Sequence, residues 1–246
     1  MEYQIVGDVM QALKLQLNPG EEVFAEAGAM LYMNDGVQFD ARMKGGLLKG
    51  LARKFLAGES LFMSVFRATA PGTHLALAAP TLGKILPIEL RGNAILAERT
   101  AFLCSIGNVD LSIAFTRKLG AGMFGGEGFI LQRISGNGMV FLHAGGNMIE
   151  FELKPGEHLR VDTGCIVSMA ETVSYDIQFV GGFRNSLFGG EGLFYASLTG
   201  PGKVILQTLP FSRLADRIKT AIGGNVEEAR GVAGFGSILK DVISGE

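Results

Sequence analysis

Short apolar runs recur along the first 210 residues: SLFMSVFRA from Ser60, GFILQRIS from Gly128, MVFLHA from Met139, YDIQFV from Tyr175, LFYASL from Leu193 and KVILQTL from Lys203. They are rich in β-branched and aromatic residues, too short for helices and bounded by Gly, Pro or Asn, the pattern of strands separated by turns. Their spacing predicts an all-β sandwich or barrel. After Pro210 the period changes. Phe211, Leu214, Ala215, Ile218 and Ile222 fall on one face of a helix that Gly223-Gly224 would stop. A weaker helix-like stretch, Val226–Ile243, is interrupted by Gly231, Gly234 and Gly236, each costing about 1 kcal/mol relative to Ala inside a helix.

The strands belong to a repeated unit. GMFGGEGFILQRISGNG from Gly122 matches SLFGGEGLFYASLTGPG from Ser186 at an offset of 64 residues, and KFLAGESLFMSVFRATAPG from Lys54 is a weaker third copy. Upstream, LNPGEEVFAEAGAMLYM from Leu17 matches LKPGEHLRVDTGCIVSM from Leu153 at 136 residues, and IELRGNAILAERTAFLCS from Ile88 matches FELKPGEHLRVDTGCIVS from Phe151 at 63. Each unit reads as strand, Pro-Gly or Gly-Asn turn, strand, loop, a Gly-Glu element, then a hairpin closed by a glycine such as Gly138 or Gly202. Approximate units are 1–80, 81–146 and 147–210, with 211–246 as a helical tail. Three equal units can close with pseudo-threefold symmetry, because closure removes exposed strand edges. The expected fold is therefore all-β, a closed β prism with a short C-terminal helical extension.

Composition narrows function. The 22 Lys+Arg against 24 Asp+Glu leave a net charge of -2, which supplies no general field for nucleic acid. Nucleic acid is not an expected partner. Cys104 and Cys165 are too few for a disulfide framework or a structural zinc site, and their apolar surroundings suggest buried free thiols. The stretch MEYQIVGDVMQALKLQ does not read as a secretory signal, and no run reaches the roughly 18 apolar residues of a membrane span.

Catalytic chemistry finds no candidate. Gly120-Ala-Gly122-Met-Phe-Gly125 fits G-x-G-x-x-G, but a strand follows where a dinucleotide site needs a helix N-terminus. His74, His143 and His158 occupy unlike repeat positions, so no metal site is expected. No G-x-S-x-G elbow or Cys/His pairing is legible. The recurring polar set is Glu59, Glu127 and Glu191, read as carboxylates that either fix their Gly-rich loops by accepting backbone N–H bonds or form a ring for a cation. Before each stands an apolar pair, Phe55-Leu56, Met123-Phe124 and Leu187-Phe188, a candidate interface if symmetry gathers the copies. Lys49, Arg53 and Lys54, with Lys44 and the leucines at 47, 48 and 51, resemble a cationic amphipathic segment for an anionic membrane or a partner.

The PGE turns at Pro19-Gly20-Glu21 and Pro155-Gly156-Glu157, the FGGEG loops and the Gly-rich region before them together resemble the altered-inheritance-of-mitochondria family over about Met1–Pro210. The resemblance implies a double-stranded β-helix of three repeats, each similar to a subunit of the trp RNA-binding attenuation protein, and an association with inner-membrane organisation. It implies no catalytic residues and no cofactor. The expected function is a non-catalytic assembly or scaffold protein. It would be a homo-oligomer, cytoplasmic or peripheral to the inner membrane, docking a membrane surface or membrane-protein partner. The alternative is a small-ligand or RNA-binding module using a β cavity or subunit interface.

Overall fold

The computed structural model of the protein describes residues 1–43, 62–117, 129–179, 194–218 and 221. The chain divides into two units, Met1–Pro210 and Phe211–Glu246. The second opens with a helix over 211–218. The first is built from strands: β1 Glu2–Val6, β2 Ala12–Leu17, β3 Glu22–Glu26, β4 Met30–Met33, β5 Val37–Met43, β6 Phe62–Ala68 and β7 Thr73–Leu77 precede three long ones. These are β8 Gly83–Glu98, β9 Phe102–Arg117 and β10 Phe129–Gly145. Then follow β11 Met148–Leu153, β12 His158–Asp162, β13 Ile166–Ala170, β14 Ser174–Phe179, β15 Phe194–Thr199 and β16 Gly202–Gln207. The all-β expectation holds.

Pairing among the described strands is antiparallel and forms three sheets, ordered β1-β2-β7-β4, β11-β16-β13-β8-β10-β9-β3-β6-β5 and β12-β15-β14. Alternation explains which faces are buried: in β2, Leu13, Leu15 and Leu17 are at most 2% exposed while Lys14 and Gln16 point to solvent. Three apolar clusters fill the interior. One centres on Leu13, Leu103 and Phe141, a second on Leu90, Ile134 and Val167, a third on Phe129, Ile166 and Leu198.

The strand pairing corrects three expectations. Gly138 closes no hairpin: β10 runs straight through it, with Gly138 opposite Gly107 of β9 and Leu90 of β8. Gly202 closes none either, because β15 pairs with β12 and β14 whereas β16 pairs with β11 and β13. The chain there passes from one sheet to another, and a glycine between two apolar runs reads the same in either case. The 63-residue alignment is one residue short. Gly92 and Gly156, at φ 80° and 77°, and the 3-10 turns Arg99–Ala101 and Thr163–Cys165, correspond at 64. A slip of one residue would turn every side chain to the opposite face.

The expected closure of the three units on one another is also not made by strand pairing of the described residues. One sheet ends at β4 and another at β12. The long strands bend at glycines. Gly107 and Gly136 have φ 94° and 122°, and a Cβ on Gly136 would lie 2.2 Å from the Asn108 carbonyl oxygen. No other residue fits there without moving backbone. The PGE glutamates fasten their turns: Glu21 Oε2 accepts from the Asn18 N–H at 2.8 Å, and Glu157 Oε2 from the Lys154 N–H at 2.8 Å.

Candidate functional site

The residues singled out from the sequence lie outside the described residues. This applies to Phe55, Leu56, Met123, Phe124, Leu187 and Phe188, to Lys49, Arg53 and Lys54, and to Glu59, Glu127 and Glu191. The three histidines stand on separate strands. His74 is exposed on β7, and His158 Nδ1 lies 2.9 Å from Thr199 Oγ1. His143 is buried in β10, and that burial pushes its imidazole below the ordinary range. Cys104 is buried, whereas Cys165 ends a 3-10 turn and is only half-buried, so one of the two expected buried thiols is partly accessible.

The described surface carries a different feature. Among the described residues β4, Met-Leu-Tyr-Met, pairs only with β7 and closes its sheet. Met30, Leu31, Tyr32 and Met33 are 44%, 54%, 49% and 37% exposed. Successive strand residues point to opposite faces, so both faces of β4 are open as well as its outer edge. The edge strands β1, β5, β11, β12 and β14 all carry charge (Glu2; Asp40 and Arg42; Glu150 and Glu152; Arg160 and Asp162; Asp176). β4 carries none. Charged residues on an edge strand are a common guard against adventitious pairing, and β4 lacks that guard. Sequence reasoning missed it because MLYM reads like any buried strand; nothing in its letters says that a neighbour is missing.

Beside β4, on the same sheet, lies an open cleft of about 560 Å³. Its lining includes Lys14, Gln16, Tyr32, Asn34 and His74. Asn34 is held in place, donating from Nδ2 to the Gly72 carbonyl at 3.0 Å and accepting the His74 N–H on Oδ1 at 3.1 Å. The cleft can receive a polar ligand through side-chain amides, an ammonium and an imidazole. No nucleophile is activated in it.

An acidic pair, Glu26 half-buried and Glu98 buried, lies at the ends of β3 and β8. Burial pushes the Glu26 carboxyl up to about 7, partly offset by the Arg99 guanidinium and reinforced by Glu98. Glu98 is 7% exposed, and its carboxyl is raised by burial, while it accepts the Thr100 N–H at 2.8 Å and the Thr100 hydroxyl. Asp162 caps the corresponding later turn, accepting the Gly164 N–H at 2.9 Å. Both Glu98 and Asp162 act as caps of their turns. Among the described residues no group of three or more His, Cys, Asp or Glu is arranged to hold a metal.

With these features in place, similarity to known proteins can be read. Residues 3–209 match the family described as mitochondrial biogenesis AIM24. The chain belongs to this family. An uncharacterised protein of Streptococcus pyogenes serotype M6 is 27% identical over 214 residues, covering 84% of this chain and 85% of that protein. The X-ray crystal structure of a Streptococcus pyogenes protein superposes with a TM-score of 0.74 at 24% identity, covering 89% of this chain and 99% of that one. That likeness establishes a shared fold. In this AIM24 family member no described helix is long and apolar enough to cross a membrane, and the relative's own name records no activity.

Proposed function

We propose that the protein is a non-catalytic assembly component built from three equivalent units in series, which self-associates through the open edge of β4. The observation that carries this reading is a contrast in burial. Phe102, Leu103, Cys104 and Ser105 of β9 are at most 4% exposed, as are Ile166, Val167, Ser168 and Met169 of β13. The corresponding residues of β4 are at least 37% exposed. β9 has β3 on its outer edge and β13 has β8, whereas β4 has no such neighbour among the described residues.

The correspondence rests on a shared irregularity. Each of these strands slips by one residue against its inner partner. Met30 and Tyr32 face Leu77 and Ala76, Phe102 and Cys104 face Leu142 and Phe141, Ile166 and Ser168 face Leu206 and Ile205. Bulges of this kind are specific features rather than noise. They support a pseudo-threefold double-stranded β-helix in which two of three unit junctions are made within the chain.

Docking to an anionic membrane surface, or to a membrane-protein partner, completes the reading. It places Lys49, Arg53 and Lys54 at the contact and the protein in the cytoplasm or peripheral to the inner membrane. Native mass spectrometry of the untagged protein tests self-association; a chain that stays monomeric at all concentrations refutes it. Co-sedimentation with phosphatidylglycerol vesicles, lost in K49E/R53E/K54E, tests docking. The cleft beside β4 favours a second reading, a small-ligand module, for which native spectra would show a retained stoichiometric mass.

A further inference from the structure

The edge of β4 has a specific complement, and it lies on the same molecule. The two unit junctions made inside the chain define that complement. In the first, β9 runs antiparallel to β3 with Cys104 opposite Ala25, Ser105 opposite Phe24 and Ile106 opposite Val23. In the second, β13 runs antiparallel to β8 with Ser168 opposite Ala97, Met169 opposite Leu96 and Ala170 opposite Ile95. Carried through the 64-residue and 136-residue correspondences, the two junctions are the same junction in the same register.

Transferring that register to the strands at the two sheet ends gives one answer from both templates: Tyr32 opposite Val161, Met33 opposite Arg160, Asn34 opposite Leu159. We propose that β4 of one molecule pairs antiparallel with β12 of a second copy in this register, so that the copies assemble head to tail. This rests on the self-association reading above and names its contact. The order of strands supports it, since the sheet β12-β15-β14 ends at β12 as the other ends at β4. The side chains add little to this: β4 is uncharged and exposed, whereas in β12 Val161 is packed inward at 6% exposed and Arg160 is exposed, so register and the two sheet ends carry the pairing. Main-chain bonds supply affinity. A contact between unlike surfaces propagates: if the rotation closes it gives a ring, and otherwise a filament.

Cross-linking tests the register. Residues directly opposite in an antiparallel pair have Cα atoms about 4.5–5.5 Å apart, within disulfide reach. Met33→Cys and Arg160→Cys are made separately in a Cys165→Ser background, mixed and oxidised. The expected result is a disulfide-linked heterodimer on mixing, with neither variant forming it alone. Met33→Lys, at an exposed position that leaves folding intact by circular dichroism, is expected to raise the concentration needed for assembly about tenfold or more. An oligomer in native spectra without the mixed disulfide overturns this pairing while leaving self-association standing. A chain monomeric throughout overturns both. An intrachain disulfide in monomeric M33C/R160C also overturns the proposal, because it would mean that β4 and β12 of one chain meet each other.

Discussion

Tyr3 meets Phe141 edge-on, with ring centroids 5.0 Å apart and planes at 76°. This contact fastens β1, the outermost strand of its sheet, onto the middle of β10, which belongs to another sheet. Phe141 is fully buried, and Tyr3 is 44% exposed. Tyr3→Ala is expected to cost about 1–2 kcal/mol, the worth of an edge-to-face pair with partial burial. Phe141→Ala is expected to cost about 3–5 kcal/mol through the cavity it leaves. In urea melts the double variant should fall short of the sum, since both lose the same contact.

Gly136→Ala is the backbone counterpart. An added methyl would collide with the Asn108 carbonyl at 2.2 Å, and φ 122° disfavours any L side chain. A loss of about 2–3 kcal/mol is expected. Gly20→Ala, where a Cβ meets nothing within 4 Å, should cost less because only its φ of 88° opposes the change. Thermal melts of the two variants side by side separate steric collision from backbone strain.

Glu26 makes stability depend on pH. Its carboxyl titrates near 7 in the folded protein and near 4.5 when unfolded. Between these values the folded state holds a proton that the unfolded chain has released. Stability therefore falls as pH rises from about 4.5 to about 7, stays reduced above that, and the effect vanishes below 4.5. The loss is at most about 3 kcal/mol, less whatever solvent screening of the half-buried carboxyl removes. Glu26→Gln is expected to raise the melting temperature at pH 8 and leave it unchanged at pH 4. An equal shift at both pH values would remove Glu26 as the cause.

Cys104 and Cys165 should react differently. Cys104 is fully buried in β9, and burial drives its thiol far above the ordinary range, so little thiolate forms. Iodoacetamide is expected to label Cys165 on mixing and Cys104 only as fast as the protein opens. Peptide mapping over a time course reads both rates, and equal labelling would contradict the buried position of Cys104.

Much of this architecture was legible in the letters. The strand at Phe62–Ala68, the strand character on either side of Gly138 and the helix after Pro210 follow from periodicity and punctuation. The recurring Pro-Gly-Glu letters have a structural counterpart, because the two turns are fastened in the same way through Glu21 and Glu157. Connectivity was harder. Gly138 and Gly202 look like hairpin turns because local sequence records that a chain bends and does not record which strand it then pairs with. The open edge was illegible for a related reason. Met30–Met33 resembles Ile166–Met169 in composition, and burial depends on a neighbour supplied by a distant segment. The motif glutamates and apolar pairs fall on Gly-rich segments outside the described residues, so the surface that carries function in this reading is one that no motif marks.

The three long strands have a mechanical consequence. β8, β9 and β10 each run unbroken past a glycine bend and take part in pairing on both sides of it. Tension applied along any one of these strands is therefore carried through its glycine by covalent backbone, with no break within the strand. A pull on either end loads hydrogen bonds of β3 against β9, or of β13 against β8, in shear rather than one at a time. The domain should yield at its outer junctions first and keep its central ladder.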